Sequence, residues 1–105
     1  MITRDEARQI VEGHVSRLFP DLDRERQMVV NDGSTLEREY GWLFSYVTVE
    51  FLRTGNPDAN PIGPGPILVL RESGDAISFP SAYWGEYALG AYERTPDNFP
   101  TLPRF

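Results

Sequence analysis

Ala7, Ile10, Val11, Val15, Leu18 and Phe19 recur at three- and four-residue steps, the spacing of one face of a helix. Thr3-Arg4-Asp5-Glu6 stands just ahead of them and fits a capping box: the Thr3 hydroxyl can cap the Glu6 amide while Glu6 reaches back. The pattern predicts a helix over residues 4–19, stopped before Pro20. His14 lies on the same stripe. Gly13 interrupts it at a cost of about 1 kcal/mol against alanine. Close packing onto a sheet is one reason to keep a glycine there.

The period then changes from helical to alternating. In Glu39-Tyr40-Gly41-Trp42-Leu43-Phe44-Ser45-Tyr46, four aromatics share one parity, and Gly41, Leu43 and Ser45 share the other. Side chains alternate across a strand, so one strand with one aromatic face is expected. Carried back along the chain, Glu37 and Glu39 take the parity of Leu43 and Ser45, opposite the aromatics. Val47, Val49 and Phe51 either extend this strand or turn away from it. Upstream, Met28-Val29-Val30-Asn31 is short and β-branched and reads as a first strand, closed by the turn signal Asp32-Gly33.

Residues 54–66, Thr-Gly-Asn-Pro-Asp-Ala-Asn-Pro-Ile-Gly-Pro-Gly-Pro, exclude helix and central strand and read as a long loop, functional or mobile. Pro66 to Glu72 is apolar on both sides and therefore a central strand. Ser73-Gly74 closes a hairpin, and Asp75 to Pro80 returns as the next strand. Trp84, Tyr87, Ala88, Ala91 and Tyr92 fall at helical spacing and predict a second helix over 83–93. The proline-rich segment 95–105 is not regular structure; it drapes over the domain by its two Phe residues or hangs free.

These elements predict an α+β fold. An antiparallel sheet of about four strands carries an N-terminal and a C-terminal helix, both packed on the aromatic face. The single domain spans 1–94, followed by the tail 95–105. The expected inward set is Ile10, Val11, Leu18, Trp42, Phe44, Leu68, Ile77, Phe79 and Tyr92. The opposite sheet face is then left open.

Composition changes this picture in three ways. At 105 residues there is room for one core. With no cysteine, disulfides, zinc thiolates and a cysteine nucleophile are excluded. The net charge of −6 disfavours nucleic acid, which needs a basic footprint, and suits either solubility or a basic partner. Residues 1–26 hold six acids and five arginines, and residues 27–105 ten acids and five arginines, so the excess lies on the sheet half. No apolar run is long enough to span a membrane, and the charged N-terminus lacks an apolar signal segment, so a cytoplasmic protein with no membrane partner is expected.

Candidate chemistry is sparse. No phosphate-binding glycine loop exists, because Gly63-Pro64-Gly65-Pro66 has prolines where free amides are needed. The one histidine has no second His for a metal pair or a catalytic couple. Glu37 and Glu39 could form an acid–base or hard-metal pair on one strand face, or could discourage edge pairing as solvated carboxylates. The expectation is no enzyme, no cofactor and no metal. The candidate partner-binding residues are Glu37, Glu39, Leu43 and Ser45 on the open face, Asn56 and Asp58 in the long loop, and Trp84 and Glu86 at the start of the second helix. Trp84 is either an interface hot spot or packed at the helix–sheet junction.

The order of helix, strands, Gly-Trp-x-Phe-x-Tyr strand, Pro/Gly loop, Gly-Pro-Ile-Leu-Val strand, Ser-Gly hairpin, strand and helix ending in Ala-Tyr-Glu resembles the immunity protein 35 family and the related YrhB-like small domains. The residues carrying the resemblance are Glu39 to Phe44, Gly65 to Val69, Ser73-Gly74 and Tyr92-Glu93. It implies a cytosolic bacterial antidote, the immunity half of a toxin–immunity pair. Such a protein binds and neutralises a cognate toxin through its surface. The YrhB-like relatives imply a rival: a chaperone-like or stress-associated protein binding unfolded clients. Homodimerisation through the open sheet face would compete with a toxin for the same surface.

Overall fold

A computed structural model of the chain describes residues 1–18, 23–59, 64–83 and 85–103. Helix α1 runs from Arg4 to Leu18. Its capping box is formed: Thr3 N donates to Glu6 Oε1 at 3.0 Å, and Glu6 N donates to Thr3 Oγ1 at 3.2 Å. Six strands follow: β1 (Met28–Val30), β2 (Leu36–Arg38), β3 (Gly41–Phe44), β4 (Tyr46–Thr48), β5 (Pro64–Leu70) and β6 (Ala76–Pro80). A short helix α2 (Val49–Thr54) follows β4, and α3 (Gly85–Arg94) follows β6. The α+β class, the four-stranded antiparallel sheet and the two terminal helices are as expected.

The main sheet has the order β2-β3-β5-β6, with every neighbour antiparallel, and β1 and β4 form a separate two-stranded sheet. The aromatic stretch is therefore three pieces rather than one strand. Residues 39 and 40 form a tight turn between β2 and β3, pairing Arg38 with Gly41, Glu37 with Trp42 and Leu36 with Leu43. The chain breaks again at Ser45, whose carbonyl accepts from Asn31 N at 2.9 Å, and β4 leaves to pair with β1. After Thr48 the strand ends, because the Thr48 hydroxyl accepts from Phe51 N at 3.0 Å and caps α2. The same hydroxyl donates to the Ala59 carbonyl at 2.9 Å, anchoring the middle of the 54–66 segment.

Two buried clusters lie on opposite faces of the sheet. On one face, Ala7, Val11 and Val15 of α1 pack on Trp42, Phe44, Ile67 and Val69, with Met28 and Val30 of β1 beside them. On the other, Ala88 and Leu89 of α3 pack on Leu43, Leu68, Ile77 and Phe79. The helices thus sandwich the sheet, and the expectation that both pack on the aromatic face is corrected. The reason is in β3 and β5: Leu43 and Leu68 are as buried as Phe44 and Ile67, and a strand apolar on both sides needs cover on both sides. Of the expected inward set, Ile10 and Tyr92 are only half-buried and Leu18 is exposed. Tyr40 leaves the aromatic stripe for the α3 face, where its ring lies 5.4 Å from that of Tyr92 and its hydroxyl donates to Glu93 Oε2 at 2.6 Å.

The tail crosses the edge of β6 from one cluster to the other. Phe99 stacks on Phe79 at 4.9 Å on the α3 side. Leu102 N donates to Ala76 O at 2.7 Å, and its side chain joins the α1-side cluster. Phe105, the second expected anchor, lies outside the described residues.

Two glycines behave in opposite ways. A Cβ on Gly41 would sit 2.1 Å from the Val69 carbonyl oxygen, so the backbones of β3 and β5 need that hydrogen. A Cβ on Gly13 would meet nothing within 4 Å, so close packing is not what keeps that glycine. Gly41→Ala is expected to destabilise by about 1–3 kcal/mol or more, and Gly13→Ala to stabilise by about 0.4–1 kcal/mol. Urea unfolding midpoints of the two variants test both signs.

His14 is buried in α1. Burial first, and then the nearby Arg17 charge, lower its pKa from 6.5. His14 therefore stays neutral to a lower pH in the folded state than in the unfolded chain. The contribution of His14 to stability is full above pH 6.5 and declines as pH falls from there through the lower folded value. His14→Gln is expected to flatten the urea-midpoint difference between about pH 7.5 and about pH 5.5.

Candidate partner-binding surface

The seven candidate residues among those described do not form one patch. Leu43 is buried beneath α3 with 1% of its surface exposed, and it is withdrawn from any contact surface. Its parity was read correctly, but the face it points to is closed. The open face proposed for homodimerisation is closed for the same reason. Ser45 is half-buried at the switch between the two sheets. Trp84 lies outside the described residues. Asn56 and Asp58 are exposed beyond α2, where Asn56 Oδ1 accepts from Asp58 N at 3.1 Å.

Glu37, Glu39 and Glu86 cluster at the β2 end of the molecule. The turn at residues 39 and 40 resets the alternation, so Glu37 lies on the Trp42 side of the sheet and not opposite it. Glu39 is in the turn itself. The two carboxylates therefore do not share a strand face as an acid–base or metal pair would require. Among the described residues, no group of three or more His, Asp or Glu side chains is placed to hold a metal ion.

Arg71 organises this end. It follows β5, and its guanidinium lies 4.3 Å above the Trp42 ring centroid. The same guanidinium donates to Glu37 Oε2 at 3.0 Å, to the Arg38 carbonyl at 3.0 Å and to the Glu39 carbonyl at 3.1 Å. Its own amide donates to the Tyr40 carbonyl at 2.8 Å. Arg71 holds the Glu37 carboxyl below the usual carboxylate range, with a lesser pull from the Trp42 indole, although Trp42 Nε1 closes no hydrogen bond of ordinary geometry. Arg38 pairs with Glu86 and links β2 to the first turn of α3, where a carboxylate is also favoured by the helix dipole. Burial and then Glu93 push the Tyr40 phenol well above its ordinary value, so it stays a hydrogen-bond donor. Tyr46, on the opposite cluster, is pushed up to about 12 by burial.

The β2 end is thus a lattice of charged pairs over a covered sheet. It offers exposed carboxylates already held by arginines, which suits surface recognition rather than proton transfer. Arg38 and Arg71 went unnoticed in the sequence because their role depends on two turns lying side by side. The signal was present: the Ser73-Gly74 hairpin and the Glu39-Tyr40 turn close the same end of neighbouring antiparallel strands.

At the other edge of the sheet, Ser78, Tyr83, Tyr87, Arg94 and Phe99 line a groove of about 600 Å³. The Tyr83 ring lies 5.2 Å from Tyr87 and 5.9 Å from Phe99. Tyr87 is 60% exposed, although its helical spacing with Ala88 and Ala91 placed it on the same stripe. None of these five residues was singled out as a partner contact from sequence.

Among the described residues, no helix is long and apolar enough to cross a membrane. Neither the curated proteins nor the solved structures contain a match to the chain. The family model described as Immunity protein 35 matches residues 5–93, from the first turn of α1 to the last turn of α3. The chain belongs to the immunity protein 35 family.

Proposed function

We propose that this protein is a bacterial antidote that binds a cognate toxin in the cytoplasm and neutralises it by occupying its surface, with no catalytic step of its own. Family membership over residues 5–93 is the observation that carries this reading. The charge supports it: a chain of net charge −6 approaches a basic partner faster than a neutral one, and a toxin that acts on nucleic acid would be basic. A chaperone for unfolded clients would need a broad apolar surface. The large apolar side chains exposed among the described residues are Met1 ahead of α1, Leu18 at the end of α1, Leu52 on α2 and Tyr87 on α3.

The test begins with this protein as bait in lysate of its own source cells, with mass spectrometry of what it retains. One dominant partner is expected, eluting as a stoichiometric complex. Expression of that partner alone should arrest a host, and co-expression of this protein should restore growth. Association should slow as salt is raised, as charge steering requires. Many weakly held clients would favour the chaperone. A partner that is harmless when expressed alone would contradict the antidote.

A further inference from the structure

We propose that the groove along the outer edge of β6 seats an extended segment of the toxin partner, one that presents a carboxylate near an apolar side chain. The proposal rests on the toxin-binding reading above and assigns it a site.

The sheet has two outer edges, and they differ. β2 is three residues long and carries Glu37 and Arg38, each in an ion pair. Charges of this kind on a short edge discourage a further strand. β6 is longer and its middle is open. Leu70 N takes the Asp75 carbonyl on the inner side, and Leu102 N takes the Ala76 carbonyl on the outer side. By alternation, the Ser78 N–H and C=O also point outward. No backbone partner among the described residues meets them there, and Ser78 is exposed.

The tail runs past this edge but does not fill the ladder. It is bonded at Leu102 and stacked at Phe99, and Pro100 between them has no N–H to give. The space left is the groove of about 600 Å³, a size suited to a short segment. Added strands bind such edges through main-chain hydrogen bonds, with alternate side chains read by pockets.

The walls indicate which side chains fit. Half-buried Tyr83 and Phe99 and exposed Tyr87 form an aromatic ledge, and aromatics are over-represented where proteins meet. Arg94 lies in the same groove and has no carboxylate partner among the described residues. Arg8, Arg26, Arg38, Arg53 and Arg71 are each held by a carboxylate, and Arg4 and Arg24, which like Arg94 have no ion pair among the described residues, lie outside the groove. An uncommitted guanidinium beside open backbone groups complements a carboxylate of the incoming segment.

The probe is a phage-displayed library of random linear peptides, selected on the immobilised full chain. Selected peptides should share an acidic residue near an aromatic or aliphatic one. Their affinity should fall about tenfold or more on Arg94→Glu, on Tyr87→Ala and on Ser78→Pro, and stay unchanged on Leu52→Ala, which alters exposed α2. Thermal melts check folding, and the first two variants alter exposed side chains and keep the test open if Ser78→Pro does not fold. No selected peptide, or peptides indifferent to all three groove changes, would overturn the groove. The same variants are then assayed for growth protection against the partner captured from lysate. Protection by wild type and loss in the groove variants supports the assignment. Protection by all of them overturns the groove while leaving the antidote intact. Failure of wild type itself to protect would instead overturn the antidote.

Discussion

The fold depends on one constraint: β3 and β5 are apolar on both sides. Trp42, Phe44, Ile67 and Val69 face α1, while Leu43 and Leu68 face α3. Leaving either set in water would forgo the burial that stabilises a domain of this size, at about 25 cal/mol per Å² of apolar surface. One helix must therefore lie on each face. The close approach at Gly41 and the long central pairing of β3 with β5 follow from packing these strands at the centre. The consequence for function is direct. With both faces covered, recognition falls to the edges, the turns and the outer surfaces of the helices.

The two edges are finished differently. At β2, Arg71 stacks on Trp42, ties the Arg38 and Glu39 carbonyls and neutralises Glu37. Arg38 fastens the same edge to Glu86 of α3. This end is charged, bonded and closed. At β6, the tail crosses from the α3-side cluster to the α1-side cluster and covers the edge only in part. A two-sided core gives a stable body, and the incompletely covered edge is where we propose that a partner segment docks.

Much of the fold was legible in the sequence where a signal is local. The capping box at Thr3 and Glu6, the Ser73-Gly74 hairpin and the helix ending near Arg94 depend on neighbouring residues, and they lie where the pattern placed them. The stretch from Leu36 to Val49 was misread because alternation was carried through a turn. Glu39-Tyr40 looks like strand by composition, yet it reverses the chain and flips Glu37 to the Trp42 side. Leu43 was misplaced on an open face for a related reason. Leu43 has the right parity for the face opposite the aromatics, but whether α3 covers that face depends on the path of the chain after Pro80, which parity does not encode. The family resemblance was legible because its motifs span β3, β5 and α3, the elements that form the core.

The most direct measurement is backbone amide hydrogen exchange on the full chain, alone and with the partner captured from its own cells. Leu43 and Leu68 should be among the slowest amides in the free protein, since they open only with the whole fold. On binding, Ser78 and its neighbours along β6 should slow, while the outward residues of α1 stay unchanged. Slowing confined to the surface of α1 or α2, with Ser78 exchanging as before, would contradict recognition at the β6 edge. Fast exchange of Leu43 and Leu68 in the free protein would contradict the two-sided core itself.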